Sequence, residues 1–316
     1  MSMEHHETPH HESARTSAPR TITPLGTPAV GSVGMLRFPL ANGELQALVK
    51  SALEEDGAFN DLTTIATVVS DRHARGRLVA RAPGVLCGVS LGLQAFLSLD
   101  PKVTIRVDSE DGARLQAGDS ILYLSGHARA LLTAERVALN FMQRLSGVAS
   151  ITARYVDAVR GTRAKILDTR KTTPGWRLLE KYAVRAGGGT NHRLSLSTAV
   201  LIKDNHLAAV DGDVSLAVRR ARDLAPPGTK VEVECDKLEQ VEAAIFARAD
   251  IIMLDNMTLD VMRECVDLVA GCAITEASGG VNLDSVRAIA ETGVDWISVG
   301  ALTHSAPALD LALDFE

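Results

Sequence analysis

The second half of the chain alternates between short apolar runs and longer segments with helical spacing. Each run ends in a charged residue or leads into glycine, and the longer segments repeat apolar residues every three or four positions. The strand-like runs cover residues 164–167, 199–202, 230–234, 251–254, 273–276 and 296–299. The helix-like segments include residues 213–224, 238–247, 259–269 and 283–291. This alternation predicts parallel strands joined by helices.

Within the α/β class, the pattern favours an incomplete TIM-like β/α barrel. The strands deliver polar residues or glycines from their carboxyl ends, which is where barrels of this kind place their active sites. Only six strands can be counted, so a full closure of eight is not predicted. An open doubly wound sheet remains the alternative, because its ligands also bind at the carboxyl ends of the strands.

The first half of the chain predicts two further regions. Residues 1–34 are rich in His, Ser, Thr, Pro and Gly, and we expect a disordered tail. Residues 35–132 combine an amphipathic helix at 44–55 with short alternating strands, which predicts an N-terminal α+β sandwich-like domain. Thr133 fits the N-cap of a long helix. The barrel domain is therefore expected at 133–316, with a C-terminal helix packing back.

Charge and cysteine usage narrow the functional classes. The net charge of −6 argues against a general nucleic-acid binder, because such proteins need a basic surface to displace counterions. No apolar segment of signal-peptide length opens the chain, so we expect neither secretion nor a membrane partner. The four cysteines, at positions 87, 235, 265 and 272, show no Cys-x-x-Cys spacing. They are expected to be reduced thiols in a cytoplasmic protein.

Cationic residues follow two of the strand-like runs, and two more lie in the segment between these runs. They are Arg170, Lys171, His192, Arg193 and Lys203. They stand beside Thr, Pro and Gly, whereas a solvated surface would intersperse acidic partners. Because strand ends meet at one edge of a parallel sheet, these cations predict a local pocket for a strongly anionic ligand.

Eight stretches of the chain carry a likeness to a known family. They read TAERVALNFMQRLSGVAS at 133–150, DTRKTTPG at 168–175, KYAVRAGGGTNHR at 181–193, LIKDNH at 201–206, VEVEC at 231–235, MLDNM at 253–257, EASGG at 276–280 and VGALTHS at 299–305. In these stretches the chain resembles the quinolinate phosphoribosyltransferases, also called nicotinate-nucleotide pyrophosphorylases. The likeness covers residues 35–316, approximately, and its motifs are highly specific in combination.

The resemblance implies a reaction of NAD biosynthesis. A phosphoribosyl group passes from phosphoribosyl pyrophosphate (PRPP) to the nitrogen of quinolinate, with decarboxylation to nicotinate mononucleotide, pyrophosphate and carbon dioxide. The planar guanidinium group of arginine can donate two parallel hydrogen bonds to a carboxylate of quinolinate. The compact ammonium group of lysine suits a position between carboxylate and phosphate oxygens. We therefore expect quinolinate to be bound by Arg136, Arg170, His192 and Arg193, with Lys171 and Lys203 between its carboxylates and the pyrophosphate. The family likeness further implies a homodimer in which Arg136 reaches into the neighbour's pocket.

Two carboxylates, Glu234 and Asp255, end successive strand-like runs and should lie at the same mouth of the barrel. Such a pair can hold ribose hydroxyls directly or through Mg²⁺ and water, and can offset positive charge on the sugar. With Lys171 and Lys203 they form the expected catalytic set, and Mg²⁺ is the expected cofactor. A purely structural pairing of Glu234 with Lys203 remains the alternative.

Glycines near the last two strands predict the phosphate site of PRPP. The candidates are Ser278, Gly279, Gly280, Gly300 and His304, together with Glu234 and Asp255. Glycine permits close approach of an anion to backbone N–H groups, and the helix expected near residue 282 would direct its N-terminus at the phosphate.

Three other functions fit parts of the pattern. A Schiff-base aldolase on a similar barrel could use Lys165 or Lys203, but it needs a desolvated lysine. A catalytically silent sugar-phosphate or dicarboxylate binding protein could use the same cations, without a role for the acidic pair. A related phosphoribosyltransferase acting on another carboxylate is the third alternative.

Overall fold

The structure is a computed structural model that describes residues 20–22 and 36–316. Its helices are α1 (Asn42–Glu55), α2 (Leu62–Thr67), α3 (Val89–Leu99), α4 (Ala128–Ala158), α5 (Arg177–Ala186), α6 (Asp204–Ala208), α7 (Val214–Leu224), α8 (Leu238–Phe246), α9 (Leu259–Val269), α10 (Val286–Ala290) and α11 (Ala301–His304). Its strands are β1 (Arg20–Ile22), β2 (His73–Ala80), β3 (Gly84–Val85), β4 (Thr104–Val107), β5 (Arg114–Leu115), β6 (Ser120–His127), β7 (Lys165–Leu167), β8 (Val200–Ile202), β9 (Val231–Cys235), β10 (Ile251–Asp255), β11 (Ile274–Ser278), β12 (Trp296–Ser298) and β13 (Leu311–Phe315). A short 3₁₀ helix covers Ala58–Asn60.

The six runs that the sequence marks as strands form one sheet. Its order is β7-β12-β11-β10-β9-β8, and every neighbouring pair is parallel. Because side chains alternate between the faces of a strand, Glu232 and Glu234 lie on one face of β9, with Glu232 one layer deeper. Glu232 is 2% exposed. The predicted α/β fold is confirmed.

The sheet is incomplete as a barrel, as the sequence indicates. β7 and β8 are its two edges, and between them the chain makes a single parallel bridge from Leu167 to Thr190. The Thr190 N–H donates to the carbonyl of Ile166 at 2.8 Å, so the segment after α5 lies along β7. That segment continues into His192 and Arg193. The closure therefore brings both cationic pairs to the same end of the sheet.

The N-terminal domain is built on a five-stranded antiparallel sheet of order β1-β4-β6-β2-β13. Its last strand comes from the C-terminus of the chain, where Leu311–Phe315 pairs with β2. The prediction of a C-terminal helix packing back is therefore wrong: the segment packs back as a strand. LALDF has four apolar residues in five, so it is a short apolar run of the length of a strand. Residues 311–315 thus belong to the N-terminal sheet.

A single long helix, α4, joins the two domains. It packs against α3 of the N-terminal domain and against α5 and β7 of the barrel. The stripe expected from its sequence is buried, with Phe141 and Leu145 in the core. The helix begins at Ala128, so the N-cap assignment of Thr133 is wrong. The Thr133 hydroxyl instead donates to Asp61 at 2.8 Å and ties α2 to α4.

The predicted tail lies mostly outside the described residues. Residues 20–22 are the exception, since they form β1 and pair antiparallel with β4. The expectation of disorder through residue 34 is wrong for these three residues. All four cysteines are free, and Cys272 alone among them is exposed. Within the described ranges, no helix combines the length and apolar character that a membrane crossing requires.

Candidate active site

A cavity of about 820 Å³ lies at the carboxyl ends of the six parallel strands. Residues that follow both edge strands, β7 and β8, contribute to its walls, so the curved sheet surrounds it. The predicted residues that line it are Arg170, Lys171, His192, Arg193, Lys203, Glu234, Asp255, Ser278, Gly279, Gly280, Gly300 and His304. The cavity therefore brings together every predicted site residue except Arg136.

A second cavity, of about 730 Å³, lies at the opposite, amino ends of the strands. Four of the five charged residues that line it form ion pairs: Arg163 lies 3.3 Å from Asp295, and Lys230 lies 3.0 Å from Asp250. These pairs hold together the turns that lead into the strands. A site for a highly charged anion needs uncompensated cations, and the cavity at the carboxyl ends supplies them.

Arg170 and Arg193 are neighbours inside the main cavity. Burial and the charge of Arg170 both lower the pKa of Arg193, although Glu232 opposes them. The Arg193 guanidinium donates to the carbonyl of Ala199 at 3.0 Å. Nη1 of Arg170 is buried and has no hydrogen-bond acceptor among the described residues. An unpaired buried donor beside a second cation is costly without an anionic partner, so this corner is suited to a carboxylate.

A buried network sets the backbone positions of these cations. The Asp168 carboxylate, at the end of β7, accepts from the Lys181 ammonium group of α5 and from the Asn191 amide at 2.6 Å. It also accepts from the backbone N–H of His192 at 2.9 Å. Asp168 directly precedes the Arg170 segment. One carboxylate therefore fixes the 168–171 and 191–193 segments relative to each other.

His192 points towards two buried carboxylates beneath the cavity. Its Nε2 lies 3.2 Å from Glu232 Oε2 and 3.5 Å from Glu276 Oε1. Burial lowers the pKa of His192, but Glu232 and Glu276 outweigh burial and raise it. Nδ1 accepts the N–H of Arg193 at 2.7 Å, so a second ring proton requires that this bond open. Both ring nitrogens thus face protein groups, and quinolinate binding by His192 stays a prediction.

The same three groups are close enough to hold a cation. One ligand atom from each of His192, Glu232 and Glu276 lies within 4.8 Å of the others. Burial raises the pKa of Glu232, and the charge of Glu276 acts in the same direction. Ser298 donates its hydroxyl to Glu276 at 2.5 Å. This floor of charged groups below the cavity was not anticipated from the sequence.

Above this floor, Lys203 and Glu234 form an ion pair. Asp255 ends the neighbouring strand and accepts from the Asn256 amide at 2.7 Å. The structure therefore contains the pairing that the sequence left open as a purely structural alternative. Glu234 and Asp255 also line the cavity, so their free oxygens face the space where a ligand would bind.

Two glycine turns form the side of the cavity next to the last strands. Gly279 has φ of +95°, and a Cβ there would lie 2.2 Å from Asn256 Oδ1. A Cβ on Gly300 would lie 3.1 Å from His304 Nε2 and 3.3 Å from Lys171 Cδ. The N–H groups of Gly279, Gly280 and Gly300 donate to no acceptor among the described residues. These backbone donors and Lys171 thus line one cavity.

The helix expected to begin near residue 282 begins later. α10 starts at Val286 and has only five residues, while Asn282 starts a turn in which its side chain accepts from Ser285 N at 3.0 Å. A helix N-terminus directed at the phosphate is therefore not formed where we expected it. The short loop leaves the glycine N–H groups themselves as the donors.

Arg136 lies apart from the cavity. It is exposed on α4, two turns before Arg144 on the same helix, and does not line the site in this chain. The Schiff-base alternative also loses support. Lys203 is 45% exposed and ion-paired, whereas an amine nucleophile needs a desolvated, neutral lysine. Lys165 is exposed and does not line the cavity.

Several residues that shape the site were not predicted from the sequence. They are Arg144, Asp168, Glu180, Lys181, Asn191 and Glu276. Asp168, Glu180 and Glu276 are fully buried carboxylates. A charged residue within an otherwise apolar segment was the available signal, because charges are rarely buried without partners. The identity of those partners depends on tertiary packing.

The fold and the cavity together define a β/α-barrel enzyme of the kind that binds phosphorylated or carboxylated substrates at the carboxyl ends of its strands. Comparison with known families defines the group more narrowly. Residues 61–146 match the model of the quinolinate phosphoribosyl transferase N-terminal domain, and residues 148–314 match that of the C-terminal domain. The chain belongs to the quinolinate phosphoribosyl transferase family. This confirms the family and the transferase class that the sequence motifs predict.

Individual relatives are similar in sequence to this chain over most of their own length. The chain is 48% identical to the nicotinate-nucleotide pyrophosphorylase [carboxylating] of Mycobacterium leprae, across 84% of this chain and 95% of that protein. It is 43% identical to a probable enzyme of the same name from Bacillus subtilis, across 86% and 93%. The crystal structure of NadC from Streptococcus pyogenes superposes with a TM-score of 0.83 at 44% identity, covering 88% of this chain and 99% of that one.

Proposed function

We propose that this chain transfers the phosphoribosyl group of PRPP to the ring nitrogen of quinolinate, with decarboxylation to nicotinate mononucleotide. The observation that carries the proposal is the Arg170–Arg193 corner, where Arg170 has a buried donor without an acceptor in the described part of the chain. A dicarboxylate fits this corner, because each arginine can donate two parallel hydrogen bonds to a carboxylate. Lys171 and Lys203 line the same cavity and supply further positive charge.

The phosphate groups of PRPP belong at the glycine turns. Gly279, Gly280 and Gly300 line the cavity, and their N–H groups have no acceptor among the described residues. Gly300 adjoins Lys171 and His304. Backbone donors and a lysine suit phosphate oxygens, and glycine lets the anion approach closely. Ser278 lines the same side and adds a hydroxyl donor. With quinolinate at the arginine corner, the ribose would lie between the two subsites.

The carboxylates Glu234 and Asp255 are suited to the ribose and to Mg²⁺. Each is partly buried and keeps one oxygen that no donor from residues 20–22 or 36–316 reaches, since Lys203 contacts Glu234 Oε2 and Asn256 contacts Asp255 Oδ2. Oxygen ligands of this kind fit Mg²⁺, which commonly retains several waters. When bound, Mg²⁺ would neutralise charge on the pyrophosphate. The two carboxylates themselves would orient the hydroxyls and offset positive charge on the sugar.

Little acid–base chemistry is required of the protein. Departure of pyrophosphate from C1 leaves an oxocarbenium-like sugar, and the pyridine nitrogen attacks the same carbon. The carboxylate next to that nitrogen is then lost as carbon dioxide, since the cationic nitrogen stabilises the electron pair left on the ring. That pair takes up a proton from water to form the C–H bond of nicotinate mononucleotide. The side chains contribute by holding both substrates at short range and by replacing water with fixed charges.

A homodimer would complete the site. Arg136 is exposed and distant from the cavity of its own chain, as expected if it serves a neighbour. Near it, α2 packs on α4 and exposes Leu62 at 72% and Ile65 at 49%, with Phe59 exposed beside them. Exposed apolar side chains in a group are characteristic of protein interfaces. A cytoplasmic location suits the four free cysteines, because reducing compartments keep thiols reduced.

The direct test supplies quinolinate, PRPP and Mg²⁺ and measures nicotinate mononucleotide, pyrophosphate and carbon dioxide. Equal amounts of the three products support the proposal. Nicotinate replaces quinolinate in the control: transfer to nicotinate at the same rate, without carbon dioxide, would identify a single-carboxylate enzyme instead. No pyrophosphate with either acceptor would favour a protein that only binds these anions.

A further inference from the structure

One ion pair outside the cavity joins two segments of the site. We call residues 170–173, which carry Arg170 and Lys171, the cationic segment, and residues 300–306, which follow β12, the phosphate turn. Arg144 of α4 donates to the Glu180 carboxylate of α5 at 2.7 Å. Glu180 is fully buried, whereas Arg144 is partly exposed. Neither residue lines the cavity. Their remaining hydrogen bonds decide what the pair does.

Glu180 holds the cationic segment. Its Oε2 accepts the backbone N–H of Thr173 at 3.0 Å, and its Oε1 accepts the Thr173 hydroxyl at 2.9 Å. Thr173 lies two residues after Lys171 and three after Arg170 in the same loop. A buried carboxylate with three donors is a rigid anchor, because removal of any donor leaves a desolvated charge.

Arg144 holds the other segment. Its Nη1 donates to the carbonyl of Ala306 at 3.0 Å, and its Nη2 donates to the carbonyl of Thr303. These carbonyls follow Gly300 and flank His304, so they end the turn that presents the proposed phosphate donors. The guanidinium therefore contacts the phosphate turn directly and reaches the cationic segment through Glu180.

Thr303 makes a second connection between the same segments. Its side chain is buried, and its hydroxyl donates to the carbonyl of Lys171 at 2.7 Å. Lys171 in turn passes next to Gly300, where a Cβ would lie 3.3 Å from the lysine Cδ. Two independent contacts thus connect the place proposed for quinolinate with the place proposed for phosphate.

We propose that Arg144 and Glu180 are positioning residues that fix the distance between the two substrate subsites. The inference rests on the proposed function and deepens it. Transfer requires the pyridine nitrogen and C1 of the ribose to meet at short range, and a misplacement of about 1 Å can cost on the order of 10²-fold in rate. Each subsite keeps its own ligand contacts when the connection is broken. The alignment of the two subsites relative to each other is then lost.

The test compares the effect of each substitution on kcat with its effect on the KM values of the two substrates. Glu180→Gln should lower kcat by on the order of 10²-fold, while the KM values for quinolinate and PRPP change less than about threefold. Arg144→Met should behave similarly, and the double variant should be no slower than the worse single variant, because the two residues act as a unit. Arg144→Lys, which keeps the charge, should recover part of kcat.

Asp100→Asn is the matched control for lost stability. Asp100 is a buried carboxylate of the N-terminal domain that accepts from His127 N at 3.0 Å and from Lys102 N at 2.9 Å. At an equal drop in unfolding temperature, its kcat should remain within about twofold of wild type, since it contacts neither segment. Equal loss of kcat in Asp100→Asn and Glu180→Gln would overturn the positioning role.

Thr303→Val keeps the inference testable if the ion-pair variants do not fold. It removes one hydroxyl without removing a charge, and kcat should fall on the order of tenfold with little change in either KM. Wild-type kcat in a folded Thr303→Val or Glu180→Gln protein would refute the inference alone. A wild-type protein that forms no nicotinate mononucleotide would refute the proposed function instead.

Discussion

Replacing Gly279 with alanine tests the proposed phosphate site with a change of one methyl group. At φ of +95° the backbone is in a region that L-residues avoid, and the added Cβ would lie 2.2 Å from Asn256 Oδ1. An ordinary contact requires a separation greater by about 1 Å, so either the turn or Asn256 must move by that amount. Asn256 donates to the Asp255 carboxylate at 2.7 Å. The displacement therefore reaches a proposed catalytic residue.

The loss of fold stability in this variant can be measured separately from its loss of activity. The backbone strain should destabilise the fold by about 1–2 kcal/mol. The displacement within the cavity should lower kcat/KM for PRPP by on the order of 10²-fold, because reacting groups must be placed within about 1 Å. Steady-state formation of nicotinate mononucleotide with varied PRPP gives the second quantity, and thermal unfolding gives the first.

Gly118→Ala is the matched control. Gly118 has nearly the same φ, +93°, but a Cβ there would meet nothing within 4 Å, and its turn lies in the N-terminal domain. Both variants should lose similar stability, and only Gly279→Ala should lose activity. Wild-type kcat/KM in Gly279→Ala, with the expected loss of stability, would show that the turn does not contact PRPP in the way proposed.

Three further predictions concern the cavity and the subunit interface. Lys171→Ala should lower turnover by on the order of 10²- to 10³-fold, or about 2.7–4 kcal/mol, by analogy with loss of an oxyanion-hole donor; near-normal kcat would contradict its assignment. Chelation of Mg²⁺ should stop turnover reversibly, and Glu234→Gln should raise the Mg²⁺ concentration for half-maximal rate roughly 10- to 100-fold; an unchanged Mg²⁺ dependence would remove Glu234 from the metal site. Equal mixing of inactive Arg136→Ala and Lys203→Ala subunits should restore about one quarter of the wild-type rate, because one of two sites in each mixed dimer has both residues. No recovery after subunit exchange has been verified would exclude a shared site.

The sequence predicts the barrel and its cavity well because both depend on local patterns. Each of the six strands is a short apolar or alternating run, and the predicted cavity residues end or follow such a run or belong to the segment that completes the closure. Strand direction then places them at one end. Glu234 and Asp255 could be placed together from their spacing alone, because successive parallel strands are neighbours in the sheet.

The C-terminus shows where local patterns are insufficient. LALDF is a short apolar run, and such a run after a barrel is equally compatible with a strand and with the last helix of the fold. The decisive contact is β2, more than 200 residues earlier in the chain. A strand whose partner is so distant in sequence gives no local indication of its sheet. The same applies to the start of α4, where Thr133 resembles a cap but binds Asp61 instead.

Arg136 and Arg144 show that a shared helical face does not imply a shared environment. They lie eight residues apart, so both project from the same side of α4, about 12 Å from each other along its axis. Over that distance the helix passes from the N-terminal domain to the barrel. Arg136 is exposed to solvent, whereas Arg144 meets a buried carboxylate and two backbone carbonyls. Helical periodicity identifies the face, but only the neighbouring elements determine whether an arginine there stays exposed or binds a buried carboxylate.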